Sequence, residues 1–257
     1  MKQIDYIKLS KEILSIAKIA GDEILKIYNS PNLGITYKDD KSPLTLADKA
    51  SNKVIEESLI KLTPNIPILS EEGKNIEFNK REKWNMFWLI DPLDGTKEFI
   101  KKNGEFTVNI ALILNGKPVL GVVYAPVLDT SWYGIINEGS FKVEDNTSTK
   151  INVIKPEDTV KIVTSRSHAN NPKLDHFLKD YPSHILVKMG SSIKICLVAD
   201  GTAHLYPRLG PTMEWDTAAA HAVVKFAGGN IYKLNSKDEL SYNKSNLLNP
   251  EFLVNHL

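Results

Sequence analysis

One stretch, Trp88-Leu89-Ile90-Asp91-Pro92-Leu93-Asp94-Gly95-Thr96, restricts the fold of this chain more than any other. Its apolar residues read as a buried strand that delivers Asp91 at its C-terminal end. Pro92 biases Asp91 toward extended backbone, and Gly95 permits a tight turn before a short helix near Thr96–Ile100. Two carboxylates three residues apart, with the Leu93 carbonyl between them, form a compact set of hard oxygens of the kind magnesium prefers. The free N–H groups of Gly95 and Thr96 would point into the same space and suit a phosphate. An Asp-rich turn that merely caps a helix has the same pattern, so the stretch needs partners.

Candidate partners lie on both sides. Ile68-Leu69-Ser70-Glu71-Glu72-Gly73 places two acids just past a second apolar run. Alone that is a solvated loop, but Glu71 and Asp91 both follow apolar strands, and pairing of those strands would bring them together. Trp215-Asp216-Thr217-Ala218-Ala219-Ala220 sets Asp216 at the start of an Ala-rich helix that ends at Gly228-Gly229. Asp is a preferred N-cap residue, which is the plainer reading there. Thr45 and Asp48 have capping-box spacing. Ser165-Arg166-Ser167-His168 reads equally as a polar loop, and Gly190-Ser191-Ser192-Ile193-Lys194 as a turn with a Ser cap and a solvated lysine. The single cysteine, Cys196, lies in an apolar run and reads as a small buried hydrophobe. No Ser-His-Asp order, P-loop, Cys/His metal cluster or dinucleotide fingerprint occurs, which leaves chemistry by carboxylate-bound metal.

The rest of the patterning is mixed. Apolar residues from Ile4 to Ile27 recur at helical spacing, and a second helix is expected from the Thr45 cap to about Leu62. Ile66–Leu69 and Met86–Ile90 suit buried strands. Thr107–Leu114 and Pro118–Tyr124 flank Asn115-Gly116, a strong hairpin signal, and Trp132–Ile136 and Phe141–Val143 would extend the meander. From about residue 150, short strands (Lys161–Thr164, Ile185–Val187, Ala203–Tyr206) alternate with helical stretches (Lys173–Lys179, Ser191–Ala199, Thr217–Ala227). Residues 1–155 therefore read as an α+β subdomain with an antiparallel sheet, and 156–257 as a smaller α/β subdomain. A net charge of +1, from 32 Lys+Arg against 31 Asp+Glu, argues against a nucleic-acid polymer as partner and leaves room for a small anion. No signal peptide or spanning segment is expected, and the oligomeric state is not legible.

Leu69-Ser70-Glu71-Glu72, Asp91-Pro92-Leu93-Asp94-Gly95-Thr96 and Trp215-Asp216-Thr217-Ala218-Ala219 are similar, in order and spacing, to the three metal-site motifs of the inositol-monophosphatase superfamily. Residues 91–125, with Thr164–Ala169, Gly190–Cys196, Leu205–Gly210 and Leu248-Asn249-Pro250, resemble its bacterial 3′(2′),5′-bisphosphate nucleotidase branch. The resemblance implies a layered α/β/α/β/α sandwich and two or three Mg²⁺ per site. Glu71, Asp91 and the Leu93 carbonyl would hold one metal, and Asp91, Asp94 and Asp216 a second. Thr96 would bond the attacking water, with Asp48 behind it as proton relay. Ser165, His168, Gly190 and Lys194 match positions that contact the nucleotide and its second phosphate, and Glu71, Leu93, Asp94, Gly95, Thr96 and Asp216 border the substrate. The implied reaction is hydrolysis of the 3′-phosphate of adenosine 3′,5′-bisphosphate, or its 5′-phosphosulfate, in sulfur metabolism, with inhibition by Li⁺. A cytoplasmic location, at the inner face of the membrane, is implied as well. An inositol or other sugar phosphatase, or a non-catalytic sensor of the nucleotide on the same fold, would share the metal motifs.

Overall fold

A computed structural model describes residues 4–38, 43–166 and 171–255. Helix α1 (Tyr6–Tyr28) starts at Asp5, whose carboxylate accepts the Lys8 N–H at 3.0 Å, and buries Leu9, Ile13, Ala17, Ala20 and Ile24 on one stripe. A short β1–β2 ladder (Thr36–Tyr37, Pro43–Leu44) leads into α2 (Leu46–Leu62), which opens with the expected Thr45/Asp48 capping box. The large sheet follows: β3 (Ile68–Ser70), then α3 (Phe78–Arg81), β4 (Met86–Asp94), α4 (Thr96–Ile100), β5 (Thr107–Leu114), β6 (Lys117–Ala125), β7 (Thr130–Ile135), β8 (Gly139–Glu144) and β9 (Thr147–Ile151). These seven strands stand in chain order; β3 runs parallel to β4, and every other pairing is antiparallel.

The remainder is the second α/β layer. Parallel strands β10 (Val160–Ser165) and β11 (His184–Met189) are linked through α5 (Pro172–Leu178). After α6 (Ile193–Ala199) and β12 (Tyr206–Arg208) comes α7 (Glu214–Phe226), then β13 (Asn230–Lys233) and β14 (Phe252–Asn255), the latter lying between β12 and β13. Three expectations need correction. Ala203–Tyr206 is not the strand: β12 begins at Tyr206, and Leu205 makes only an isolated bridge to Ile162. The last long helix begins at Glu214, not at Thr217. Strands β9, β13 and β14 were not expected; in β9 four of five residues are exposed and polar, so no apolar alternation betrays it.

The sheet is apolar on both faces because both are covered. Along β4, Trp88 and Ile90 pack with α1 and α2, whereas Phe87 and Leu89 pack with α7, the two-residue alternation of a pleated strand. Helix α7 lies very close to the sheet. Gly121 on β6 and Gly134 on β7 are directly paired, and a Cβ on either would fall 2.3 Å from the Ala219 carbonyl or 2.5 Å from the Ala222 carbonyl. The Ala-rich run is what such an approach requires. Gly121→Val is expected to cost about 3 kcal/mol or more, read as a shift in the urea midpoint at unchanged slope.

Candidate active site

Alternation along the strands aims the acids. Leu69 and Leu89 face α7, so Glu71 and Asp91, two residues further on, face the same way. Register then sets them side by side: Ser70 pairs with Ile90, and the Glu71 N–H continues the ladder to the Ile90 carbonyl at 3.1 Å. From the opposite side, the close seating of α7 presents its first turn. There Asp216 is the third helical residue, not the N-cap; one carboxylate oxygen accepts the Met213 N–H at 2.9 Å. Carboxylate oxygens of Glu71, Asp91 and Asp216 lie within 4.8 Å of one another.

Asp94 borders this trio across a β-bulge between Asp91 and Asp94. Its Oδ2 accepts the Ser192 N–H at 2.5 Å, while the Asp91 carboxylate accepts the Leu93 N–H at 3.1 Å. Gly95 takes the left-handed turn (φ 94°) that starts α4. The Thr96 hydroxyl then lies 3.3 Å from Asp48 Oδ1 and 3.4 Å from the Leu93 carbonyl. Asp48 Oδ2 is held by the Thr45 N–H at 2.7 Å and its hydroxyl at 2.6 Å. Capping and a position in the site are thus two uses of one carboxylate.

The electrostatics of the cluster are those of a cation site. Asp91 is 1 % exposed, and burial, with the charges of Glu71, Asp94 and Asp216, raises its pKa well above the usual carboxylate range. Burial, with the charge of Asp94, lifts Asp216 to about 8. Burial also raises Glu71, Asp94 and Asp48. Lys38 is the one described lysine bonded to the group, reaching Glu71 at 2.8 Å and Glu72 at 2.5 Å. Converging hard oxygens with so little compensating charge fit a divalent cation.

Asp94 and Asp216 also line a solvent-open cleft together with Ser165, Ser191, Lys194, Tyr206 and Arg208, the residues of its cation wall. Lys194 is 7 % exposed; burial drops its pKa to about 8, and its ammonium donates to the Ser191 carbonyl at 2.5 Å, 5.6 Å above the Tyr206 ring. It is therefore a buried cation rather than the solvated lysine of the plainer reading. Gly190 does not line the cleft, because its N–H is turned onto Glu105 at 2.8 Å. His168 lies outside the described residues. Cys196 is buried in the α7-side core, where burial pushes its thiol up. The sequence reading passed over Arg208, Tyr206 and Ser191. Two-residue alternation at Tyr206-Pro207-Arg208 places Tyr206 and Arg208 on one face and was the available signal.

These features agree with what the chain resembles. Residues 6–256 match the profile of the Inositol monophosphatase family. The chain belongs to that family, whose members are metal-dependent. Within it, the chain is 46 % identical over 246 residues, 95 % of this chain and 98 % of the relative, to the 3′(2′),5′-bisphosphate nucleotidase CysQ of Salmonella typhimurium. It is 36 % identical over 249 residues, 96 % of this chain and 92 % of the relative, to CysQ of Aggregatibacter actinomycetemcomitans. The crystal structure of CysQ from Bacteroides thetaiotaomicron superposes with a TM-score of 0.87 at 40 % identity, covering 99 % of both chains. The inositol monophosphatase of Anabaena shares the fold at a TM-score of 0.76 and 23 % identity, covering 98 % of this chain and 92 % of that one. No helix among the described residues is long and apolar enough to cross a membrane.

Proposed function

We propose that this protein hydrolyses the 3′-phosphate of adenosine 3′,5′-bisphosphate, with Mg²⁺ as cofactor, releasing 5′-AMP and phosphate. One observation carries the reading: two acids of the metal site, Asp94 and Asp216, and two cations, Lys194 and Arg208, line a single cleft. The Arg208 Nε is buried without a partner among the described residues, a donor that an anion would satisfy. A ligand with one phosphate at the acids and a second at the cations matches both walls. The names of the similar CysQ proteins point to the same substrate.

Residues 1–155 supply Glu71, Asp91, the Leu93 carbonyl and Asp94; residues 156–257 supply Asp216 and the nucleotide side. Bound metal would neutralise the phosphate and lower the pKa of a water. Thr96 gives its one hydroxyl proton to Asp48, so its lone pairs are left to accept from that water. As the water oxygen bonds to phosphorus and the bond to the ribose 3′-oxygen breaks, the water's proton passes toward Thr96 and Asp48, and the departing 3′-oxygen takes a proton from solvent in the open cleft. A buried carboxyl with a raised pKa suits that acceptance. Lys194 and Arg208 hold the remote phosphate, and Ser165 and Ser191 border the nucleotide.

The test is phosphate release from adenosine 3′,5′-bisphosphate, inositol 1-phosphate and fructose 1,6-bisphosphate, with and without Mg²⁺. Mg²⁺-dependent preference for the nucleotide is expected. Lys194→Met should raise KM for the nucleotide by roughly 10- to 100-fold, the loss of one charge-assisted hydrogen bond, and change inositol 1-phosphate turnover far less. Preference for a sugar phosphate, or equal losses on both substrates, would overturn the assignment.

A further inference from the structure

Glu105 lies outside the acidic cluster and outside the cleft wall, in the loop between α4 and β5, and is 9 % exposed. Its carboxylate accepts three N–H groups: Arg166 Nε at 2.6 Å, Arg166 Nη2 at 2.5 Å and the Gly190 backbone at 2.8 Å. Arg166 follows the end of β10 and Gly190 the end of β11, which run parallel with Ser165 opposite Met189. The two strand ends deliver Ser165, Ser191 and Lys194 to the cleft. The loop that carries Glu105 runs into β5, where Thr107 pairs with Asp94. One buried carboxylate therefore ties the cation wall of the cleft to the metal wall.

The tie is tight. A Cβ on Gly190 would fall 2.7 Å from the Glu105 carbonyl, so the turn is pressed against the loop and no side chain fits between them. The charges agree as well. Glu98 lines the cleft, and an acid there opposes an anionic ligand. Arg166 feels the charges of both Glu105 and Glu98, so the same guanidinium that is clamped offsets two carboxylates near the phosphate path. An exposed ion pair is normally worth little. Here the geometry is bidentate and one partner is buried, which is the case where direction and distance are held.

We propose that Glu105 is a positioning residue: with Arg166 it locks the Gly190–Ser192 turn against the metal-side loop and sets the spacing of the two anion-holding walls, and so the preference for ligands with two anionic groups over compact monoesters. This deepens the function proposed above and rests on it for the identity of the ligand. A monoester engages only the metal wall and does not sense the spacing. A bisphosphate must fit both walls at once, and misplacement of about 1 Å is costly.

The experiment compares Glu105→Gln, Arg166→Gln and the double variant with wild type on adenosine 3′,5′-bisphosphate, fructose 1,6-bisphosphate and inositol 1-phosphate at saturating Mg²⁺. Each single variant should raise KM for the preferred two-phosphate substrate about tenfold, with kcat altered less than about threefold. Inositol 1-phosphate kinetics should move by less than about twofold, and the double variant should be no worse than either single one. Equal losses on mono- and bisphosphates, or additive losses in the double variant, would overturn the clamp. Arg166→Gln, on the exposed side of the pair, serves if Glu105→Gln fails to fold. Failure of the nucleotide reading shows separately, as wild type preferring fructose 1,6-bisphosphate, on which the clamp is still judged. Amide exchange of residues 190–194 in the metal-free protein is a readout without turnover: it should quicken at least severalfold in Arg166→Gln, and unchanged exchange would sink the idea.

Discussion

Asp91→Asn is expected to lower kcat for the preferred phosphate ester by about 10³-fold or more at saturating Mg²⁺. Asp91 is the member of the cluster shared between both expected cation positions, and it is the most deeply buried, at 1 % exposure. An amide keeps the shape and the bond from the Leu93 N–H but removes the charge. Losing about 4 kcal/mol of metal-derived transition-state stabilisation corresponds to three powers of ten in rate. The fold should not suffer. In the metal-free protein Asp91 is surrounded by Glu71, Asp94 and Asp216, whose charges all oppose its ionisation, so an uncharged isostere relieves repulsion. The midpoint of thermal unfolding without metal should hold or rise, while the increase on adding Mg²⁺ shrinks. A variant that lost rate and metal-free stability together would instead show Asp91 acting through packing.

Stability of the metal-free protein is expected to fall between pH 6.5 and 8, and saturating Mg²⁺ should abolish that slope. Asp216, raised to about 8, stays protonated in the folded state where the unfolded chain has already released that proton, and burial shifts Asp91 in the same direction. A carboxyl raised in this way contributes stability that is complete below its unfolded pKa and is lost as pH climbs to the folded value, because the folded state binds more protons. Opposing groups act only at its edges. His221 and His204, whose pKa values are lowered, work against the slope near pH 6.5, where unfolded histidine still holds protons, and are neutral in both states toward pH 8. Lys194, lowered to about 8, begins to contribute in the other direction only at the upper edge. Each group held protonated over 1.5 pH units is worth on the order of 2 kcal/mol, or about 4–8 °C in the unfolding midpoint of a chain this size. With metal bound the carboxylates are ionised throughout, and mass action adds stability in proportion to ln(1 + [Mg²⁺]/Kd). A flat metal-free profile would mean that the cluster is compensated by charge in solution, as by Lys38.

Much of this was open to reading from residues because the informative signals are local. The hairpin at Asn115-Gly116 was legible, since both residues take positive φ (49° and 74°) and few sequences tolerate that pair. The Thr45/Asp48 box placed the start of α2 to the residue. A continuous apolar run located β4, but the strand does not end at Asp91 as expected: it pairs on through Asp91 to Asp94, with a bulge between them. By contrast, β9, β13 and β14 acquire their extended form from pairing with strands already in place, not from their own composition. The first turn of α7 was misread because Glu214 supplies no apolar signal, although its wholly buried carboxylate accepts the Asn243 and Lys244 N–H groups at 2.6 and 3.0 Å.

By itself the sequence determined which oxygen ligands exist, the strands and turns that present them, and, through three ordered motifs, the family. The tertiary structure alone decided that Glu71 and Asp91 lie abreast through parallel register, and that glycines 121 and 134 let α7 bring Asp216 to meet them. It also turned Lys194 into a buried cation, added Arg208 to the lining of the same cleft, and spent the Gly190 N–H on Glu105. The physical reason is range. Dihedral preferences, caps and two-residue alternation act within a few neighbours and are written in the residue order. Distances between carboxylates more than a hundred residues apart depend on how closely helix and sheet pack, and burial, which sets the charge of each group, exists only once they do.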